Sequence, residues 1–458
     1  MNILNRNVPS ARCAWLAAVL LASSQLHAQS RQVPAGRQSA PTVIVNGTLH
    51  NPPPERSGRD EVVVEDAWIM FEDGRITQVG TGEMEIPDGC EVLDAEGLHI
   101  YPGLIAGPTQ LGLIETEQVR ATDDTTELDS EHPEIQAWVA INPDSDLIPV
   151  ARSSGIMSAV VFPGGGIISG QPSMIRLDGW TTEDLTIRES LGVIVNWPMM
   201  NPVTSRFVRR SASDQKKRSA ERVKRIDTYF DDAEDWLKAR EADPSIPWNT
   251  RYAALSGVIS GEVPVYLDAS RPSQIESGVA WAKGRGYRVG IVGGAGSGSC
   301  ARMLAEEDVP VMLKGTHRLP LARHHAHDEI YGTPERLREA GVLFSIGNSE
   351  SGAFAPAQER DLAHQAASAA AHGLPAGAAL RSVTLSPAEI AGVGDELGSI
   401  ETGKSATLIV TTGNPLELTS EVLVAYVDGR RIDLSDRQKM LAEKYREKYQ
   451  QIEDERQP

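Results

Sequence analysis

The sequence predicts an α/β protein with two parts, a parallel barrel and a small β-domain built from both chain ends. Short apolar runs begin near residues 263, 288, 309 and 342, at the spacing of strand–helix units. Such runs suit strands that are buried on both faces, as in parallel sheets. Strands and tight turns instead dominate the segments on either side. A parallel barrel closes such units on themselves, and an open doubly wound sheet is the alternative.

The β-domain is predicted from residues 41–101 and 398–434. The run "TVIVNGTLH" suits a strand, and "VVVEDAWIMFEDGRITQVG" suits a hairpin with Asp73 and Gly74 at its tip. These two residue types tolerate the positive φ of a tight turn. Far downstream, "ATLIVTTGNP" and "VLVAYVDGRRIDL" repeat the pattern. Isolated hairpins of this length are unstable in water, so we expect the two segments to pair with each other.

Helix signals follow several of the predicted strands. In "TPERLREAG", Thr333 is the expected N-cap, Pro334 lies in the first turn and Gly341 ends the helix. Residues 206–241 predict a charged helix that is basic in its first half and acidic in its second. We expect this helix to be solvated on the barrel exterior, and a docking surface for an acidic partner is the alternative. Residues 435–458 predict an exposed helical tail.

The N-terminal region predicts export. Arg6 and Arg12 precede an apolar run at residues 13–21, and "LHAQS" offers a cleavage site after Ala28. Residues 1–28 are therefore interpreted as a signal peptide, and the polar residues 29–40 as a disordered leader. The mature chain is expected to be periplasmic or secreted. No later stretch of the sequence is long and apolar enough to predict a membrane span.

The charge of the chain limits its partners. The net charge is -19, and it becomes about -21 without the signal peptide. This acidity argues against nucleic acid and anionic membranes as partners. The mature chain keeps Cys90 and Cys300, which can form one disulfide or, as we favour, remain two buried free thiols.

Several motifs occur in a characteristic order along the chain. After the first β-segment, "PGLI" opens the central region and "LGSIETGKSATLIV" closes it. Further motifs are "TDDTTELDSEHPEIQAWVAINP", "GIMSAVVFPGGGIISGQPSMIRLDG", "ALRSVTLSPAEIAGVGDELGSIETGK" and "VDGRRIDLSDRQ". Their order resembles the amidohydrolase superfamily, and most closely its imidazolonepropionase-like branch. The resemblance implies a (β/α)8 TIM-type barrel at 102–397 with a β-sandwich assembled from both ends. It also implies an ancestral hydrolysis of non-peptide C–N bonds by metal-activated water.

The positions that should bind the metal in this superfamily carry other residues here. A catalytic zinc takes about three protein ligands, from His and carboxylate side chains, and keeps one position open for water. The resemblance places a His-x-His pair at the end of the first barrel strand, where this chain has Pro108 and Gln110. Proline offers no donor atom, and the neutral amide oxygen of glutamine is a poor zinc ligand.

The remaining ligand positions are also replaced. The strand "VPVYLDAS" resembles one that ends in His-x-His, but it has Asp268 and Ser270. Gly293 stands where the next strand should present a histidine. Asn348 and Ser349 stand where the last strand should present an aspartate. Replacement at every aligned position predicts a protein that no longer binds the ancestral metal.

These losses predict an exported, catalytically inactive binding or assembly subunit with no cofactor. A small-molecule ligand is compatible with the barrel, and the expected partner is a metal-competent barrel paralogue or a second copy of this chain. The alternative is an active metal-dependent C–N hydrolase of cyclic amides or small peptides with a rebuilt zinc site. In "RHHAHDEIYG", His325 and His327 form a His-x-His pair, with Asp328 adjacent and His317 nearby in sequence.

Overall fold

The computed structural model describes residues 32–116, 118–203, 208–349 and 352–456. The strands are β1 (Thr42–Asn51), β2 (Val62–Glu72), β3 (Arg75–Thr81), β4 (Glu91–Asp94), β5 (His99–Pro102), β6 (Leu104–Thr109), β7 (Ile156–Val161), β8 (Ile168–Gly170), β9 (Ser173–Arg176), β10 (Thr186–Arg188), β11 (Val193–Asn196), β12 (Val265–Ala269), β13 (Val289–Gly293), β14 (Val311–Leu313), β15 (Phe344–Ile346), β16 (Leu408–Thr411), β17 (Val422–Val427) and β18 (Arg430–Arg431). The helices are α1 (Leu147–Ser153), α2 (Thr182–Leu185), α3 (Ala212–Ala242), α4 (Thr250–Ala253), α5 (Ser256–Ile259), α6 (Pro272–Gly284), α7 (Ala301–Glu306), α8 (Thr333–Ala340), α9 (Leu362–Ala371), α10 (Ala376–Ser382), α11 (Leu385–Ile390) and α12 (Arg437–Arg456). Short 3-10 turns lie at Arg120–Thr122, Ala137–Ala140, Ser297–Ser299 and Gly352–Asp361.

The two chain ends meet in one β-sheet. Its order is β18-β17-β16-β5-β1-β2-β3, with β4 also paired to β1. The expected contact between the end segments is confirmed at β5 and β16, which pair antiparallel from His99↔Thr411 to Pro102↔Leu408. Strand β5 therefore lies between β1 and β16 and pairs with both. The two end segments form one continuous sheet where the sequence predicts a sandwich. A core that includes Ile44, Phe71 and Leu408 holds this sheet together.

The hairpin predictions at the tight turns are confirmed. Strands β2 and β3 pair antiparallel through Glu72↔Arg75, and Asp73 and Gly74 have φ of 49° and 79°. Strands β17 and β18 repeat this geometry, with φ of 47° at Asp428 and 71° at Gly429. Positive φ at both central residues gives a turn whose twist matches that of the flanking strands.

The central region is a mixed α/β structure whose strands form two hydrogen-bonded sheets. One sheet has the order β10-β9-β7-β6, and the other has the order β15-β14-β13-β12-β11-β8. In the described part of the chain no ladder joins these sheets, so the predicted barrel is not closed by continuous hydrogen bonding. They adjoin where Ser345 of β15 donates a hydrogen bond to the carbonyl of Gly107 in β6, at 3.4 Å.

The two sheets nevertheless enclose one core. Alternate strand residues share a single buried cluster: Ile105, Val160, Met174, Ile194, Tyr266, Val292 and Met312. Their strand neighbours, such as Leu104, Val195 and Leu267, belong to a second cluster that also contains helix residues. Because successive strand residues point to opposite faces, this alternation gives the strands an inner core and an outer, helix-facing layer. The arrangement positions the strand ends around a common opening.

Helix α3 is exposed along most of its length, as the sequence predicts, but one face is anchored to the core. It buries Ile226, Phe230 and Ala233, which pack into the main core. Its basic half also contacts loops next to the strand ends: Arg222 donates to the carbonyl of Gly166 at 2.6 Å, and Arg225 pairs with Glu131 at 2.6 Å. The sequence analysis did not identify this anchor, because these three apolar residues are sparse among the charges of the helix.

Other end and cap predictions have mixed outcomes. The predicted signal peptide lies outside the described residues. The described part of the predicted leader is held in place rather than free, since Gln38 donates to the carbonyl of Phe71 at 2.9 Å and Ala35 donates to Asp178 at 3.2 Å. Helix α8 has Gly332 as its N-cap, so Thr333 is the first helical residue instead of the cap. In the described ranges, no helix combines the length and apolar character needed to cross a membrane.

Candidate functional site

A polar cleft of about 240 Å³ opens where the strand ends converge. Its walls come from both sheets: the end of β6 and the loops after β7, β14 and β15 surround the side chains of β11, β12 and β13. The residues that line it are Pro108, Thr109, Gln110, Phe162, Pro163, Gly164, Gly165, Ile194, Asn196, Asp268, Val292, Lys314 and Ser349. Four of the predicted replacement positions, Pro108, Gln110, Asp268 and Ser349, therefore lie in one cleft.

An ion pair between Asp268 and Lys314 lies in this cleft. Nζ of Lys314, just past β14, is 2.7 Å from Oδ2 of Asp268 on β12. The side chains keep 27% and 31% of their surface exposed, so a ligand in the cleft can reach both. The ammonium group thus supplies one positive charge beside the single carboxylate that lines the cleft.

Ser270 and Gly293 lie next to Asp268. A Cβ atom added to Gly293 would lie 2.9 Å from Oγ of Ser270 and 3.3 Å from Oδ1 of Asp268. Gly293 has φ of 105°, a backbone conformation that residues with a side chain rarely adopt. Glycine therefore suits the backbone conformation at this position, and a histidine here would require the strand end to move.

The opposite wall of the cleft is a glycine-rich loop at 163–166. Asn196 donates to the carbonyl of Gly165 at 2.7 Å and to Oγ of Ser169 at 2.8 Å. Arg222 of α3 also donates a hydrogen bond to the carbonyl of Gly166 in this loop. Nε2 of Gln110 lies 3.1 Å from the position of a Cβ on Gly164, so this side chain contacts the loop. These contacts hold the wall in place without a metal.

Asn348 and Ser349 have different roles at the end of β15. The amide oxygen of Asn348 accepts from Gln365 at 2.7 Å, and its amide nitrogen donates to the carbonyl of Gln358. Both ends of this side chain are therefore used in packing, and Asn348 does not line the cleft. The backbone N–H of Ser349 donates to the carbonyl of Lys314 at 2.7 Å. Its Oγ is buried and has no hydrogen-bond partner among the described residues.

A buried carboxyl lies behind Thr109. Oγ1 of Thr109 is 2.6 Å from Oε2 of Glu359, which is fully buried. Burial raises the pKa of Glu359 from 4.5 to about 8, and the Thr109 hydrogen bond opposes the shift. The other oxygen, Oε1, lacks a hydrogen-bond partner within the described ranges. At neutral pH this side chain is mainly a neutral acid, and it does not add a negative charge beside the cleft.

The histidine cluster is arranged for local contacts. Nδ1 of His325 pairs with Oε2 of Glu329 at 2.7 Å, and its ring lies against that of His324 at 4.6 Å between centroids. His317 contacts Oγ of Ser368, and burial lowers the pKa of His317. His327 and Asp328 are exposed. Across the described residues there is no group of three His, Cys, Asp or Glu side chains placed to hold a metal ion.

The residues of the cleft do not fit a catalytic zinc ion. Of the aligned ligand positions, Asp268 alone carries a carboxylate, and its Oδ2 is taken by the ammonium of Lys314. A divalent cation at this carboxylate would meet the positive charge of Lys314 at close range. Pro108 and Gly293 offer no side-chain donor. The chemistry of this site therefore depends on fixed charges and hydrogen-bonding groups.

Cys90 and Cys300, the cysteines among the described residues, are free thiols, the state that the sequence analysis favours. Cys300 is buried as expected, and burial raises the pKa of its thiol to about 11. Cys90 is only half-buried, so the prediction of burial was wrong for this residue. Cys90 follows a turn at the edge of the β-sheet, where strand β4 is short and its neighbouring residues are exposed.

Comparisons with known proteins show which folds this chain is similar to. The model of the amidohydrolase family matches residues 289–432. An amidohydrolase of Thermotoga maritima has a similar structure, with a TM-score of 0.71, 22% identity and coverage of 86% of this chain and 99% of that one. A prolidase complexed with N-methylphosphonate-L-proline is similar at a TM-score of 0.51, 18% identity and coverage of 86% and 99%.

A curated relative adds a sequence likeness over most of the chain. The amidohydrolase tasK of Hapsidospora irregularis is 24% identical over 432 residues, which cover 85% of this chain and 43% of that protein. The chain thus spans less than half the length of this relative. Together these likenesses show an amidohydrolase-type fold and support the amidohydrolase superfamily, in agreement with the motifs in the sequence.

Three residues of the site were not found from the sequence. Lys314 ends the apolar run "VPVMLK", and a charged residue directly after a buried strand was an available signal. Asn196 follows the run "GVIV" in the same way. Glu359 had no such signal, because it lies in a 3-10 turn and meets Thr109 across 250 positions.

Proposed function

We propose that this protein is a catalytically inactive binding and assembly subunit built on an amidohydrolase fold. The observation that carries this proposal is the ion pair of Lys314 and Asp268, which occupies the cleft where the superfamily's metal chemistry is expected. Descent from the imidazolonepropionase-like branch and export from the cytoplasm belong to the same proposal. The motifs quoted above support the first, and the signal-like residues 1–28 support the second.

Hydrolysis of a C–N bond needs an activated water and a group that stabilises the developing negative charge. A protonated lysine can stabilise charge, but it cannot lower the pKa of a bound water as a coordinated metal ion does. The residues that line the cleft include Thr109 and Ser349 but no histidine. The one carboxylate of the described lining, Asp268, is paired with Lys314 rather than with either hydroxyl, which supports binding without turnover.

The competing proposal is an active metal-dependent C–N hydrolase with a rebuilt zinc site at His325, His327, Asp328 and His317. Metal content separates the two most directly. We expect the purified mature protein to hold clearly less than one zinc per chain and to leave cyclic amides and dipeptides intact. Elemental analysis of the wild type beside the pair His325→Ala and His327→Ala measures this. One tightly held metal per chain that is lost in this double variant contradicts the proposal.

Assembly is the second part of the proposal. The relative that matches most of this chain is more than twice as long, since the matched region covers 43% of it. That protein therefore carries much further chain beside the region similar to this one, which supports the proposal that such a region works next to another folded unit. The proposed partner is a barrel paralogue with intact metal ligands, and a homo-oligomer is the alternative.

A further inference from the structure

We infer that the cleft binds a free α-amino acid with a small apolar side chain, and that it holds this ligand by both of its charges. This inference rests on the proposed binding function and names its ligand class. The starting observation is the charge content of the cleft. Among the lining residues of the described chain, Asp268 and Lys314 are the charged ones, and their nearest charged atoms are 2.7 Å apart.

A ligand with one charge gains little from such a pair. An isolated anion is attracted to Nζ of Lys314 and repelled by Oδ2 of Asp268 at nearly the same distance, and an isolated cation meets the reverse. A zwitterion offers its carboxylate to Lys314 and its ammonium to Asp268, so both charges remain paired. A partly exposed ion pair contributes little to stability, so replacing it with two ligand contacts is inexpensive.

A second observation points to the carboxylate end of the ligand. Oγ of Ser349 is buried, lacks a hydrogen-bond partner among the described residues, and belongs to a residue that lines the cleft. Its backbone N–H donates to the carbonyl of Lys314, so the segment that carries this hydroxyl runs beside the backbone of Lys314, and both residues line the cleft. Buried hydroxyls normally have a partner. A ligand carboxylate at Lys314 would supply one for Ser349.

The rest of the wall favours an apolar side chain of modest size. Phe162, Ile194 and Val292 line the cleft beside the ion pair, together with Pro108 and Pro163. A cleft of about 240 Å³ is small for a drug-sized molecule, since such pockets measure roughly 300–1,000 Å³. The neutral polar side chains of Gln110 and Asn196 already contact the glycine-rich loop at 163–166. A compact amino acid therefore matches the charges, the hydroxyl and the apolar surface together.

Calorimetric titration of the full mature chain in buffer with a chelator tests this inference. The probes are L-valine, isovalerate, which lacks the amine, isobutylamine, which lacks the carboxylate, and the neutral cyclic amide succinimide. We expect L-valine to bind and each of the other three to bind at least about tenfold more weakly. Equal or tighter binding of any of the three overturns the inference. So does a lack of binding by L-valine, L-alanine and L-leucine at millimolar concentration.

Two substitutions assign the charges. Lys314→Met should weaken L-valine by about tenfold or more and strengthen isobutylamine, and Asp268→Asn should weaken L-valine and strengthen isovalerate, because each change removes the charge that repels the single-charge probe. Lys444→Met, at an exposed position on α12, is the matched control and should change none of these affinities. Thermal melts identify a variant that fails to fold. If a single variant does not fold, the double variant Asp268→Asn with Lys314→Met replaces it, because it leaves no unpaired charge in the cleft. This double variant should lose its selectivity for L-valine.

The two proposals fail in different ways. Absence of amino acid binding in a protein without stoichiometric zinc overturns the ligand inference and leaves the inactive-subunit proposal in place. A stoichiometric metal with hydrolysis of amides overturns the proposed function, whatever the titrations show. Equal loss of binding for all probes in Lys314→Met and in Lys444→Met would assign the effect to folding and overturn the role of Lys314.

Discussion

At the scale of single residues, the cleft differs from a metal site by charge and by backbone shape. Lys314 places an ammonium group against Asp268, so the carboxylate is neutralised by the protein itself. Gly293 has a left-handed φ of 105°, and Asn348 is bound on both ends by Gln358 and Gln365. The replacements are therefore integrated into local structure. Restoring histidines one at a time would strain this site before it could recover a ligand set.

Glu359 provides a prediction about pH and stability. Its pKa is raised from 4.5 to about 8, so the folded chain binds this proton more tightly than the unfolded chain does. Stability from this group is complete below about pH 4.5 and is lost as the pH rises toward 8, at up to about 1.4 kcal/mol per pH unit. Glu359→Gln keeps the size of the side chain and removes the titration. Urea unfolding between these pH values should show a smaller decline for Glu359→Gln than for the wild type.

The control for this prediction is Glu453→Gln on the exposed helix α12, which should follow the pH dependence of the wild type. Subtraction of the variant from the wild type removes the contributions of all other titrating groups. Parallel curves for Glu359→Gln and the wild type across this window would show that the buried carboxyl does not hold its proton as described.

At the scale of elements, the N-terminal strands support both the β-sheet and the helices of the central region. Strands β1, β2 and β3 form one side of the eight-stranded sheet. The loop after β1 also accepts hydrogen bonds from two buried arginines: Arg338 donates to the carbonyl of Ser57 at 2.8 Å, and Arg381 donates to that of Pro53 at 3.0 Å. The β-domain is therefore part of the packing of α8 and α10.

Deletion of residues 41–80 should unfold or aggregate the protein rather than release an intact central region. It removes three strands of the sheet, core residues such as Ile44 and Phe71, and the carbonyl groups that accept hydrogen bonds from Arg338 and Arg381. Near-UV circular dichroism and size-exclusion chromatography measure the outcome. Truncation after Asp436 is the comparison, because α12 buries none of its residues and should be dispensable for folding. A soluble 41–80 deletion with the parent's near-UV spectrum would contradict this dependence.

At the scale of the whole molecule, the charge distribution suits a protein that binds another folded chain. The chain carries a net charge of -19, yet Lys216, Lys217 and Arg218 are consecutive and exposed on α3. Farther along α3, Arg222 and Arg225 contact Gly166 and Glu131, whereas Lys216 and Arg218 are exposed and Lys217 has only a solvent-exposed pairing with Glu221 at 3.9 Å. Opposite potentials on two surfaces increase the rate of association and help to select partners.

Reversal of this surface should weaken assembly without unfolding the chain. We expect Lys216→Glu, Lys217→Glu and Arg218→Glu together to reduce recovery of a metal-competent barrel paralogue, while the melting temperature stays nearly unchanged. The matched control reverses Lys444, Arg446 and Lys448 on α12, which are also exposed. Pull-down and sedimentation measurements compare the two triple variants. Recovery of this chain only with itself, or equal assembly by both variants, would leave the partner proposal without support.

The sequence by itself determined the properties that depend on local pattern. Alternating apolar residues and Asp-Gly turns predicted the hairpins, the spacing of apolar runs predicted the α/β units, and the motif order predicted the superfamily. It also predicted that Pro108, Gln110, Asp268 and Ser349 end strands at the site. These inferences need only neighbours in the chain and a likeness to known motifs, so they hold before the strands are arranged in space.

The tertiary structure alone decided which groups meet. Lys314 pairs with Asp268 from 46 positions away, and Glu359 reaches Thr109 across 250. It also decided that β5 lies between β1 and β16, and that α3 contacts the loops beside the strand ends. Such contacts depend on strand register and on packing between distant segments, which no local pattern encodes. For that reason the replacement of the metal ligands is a prediction from the sequence, whereas the lysine that pairs with Asp268 was identified only in the folded protein.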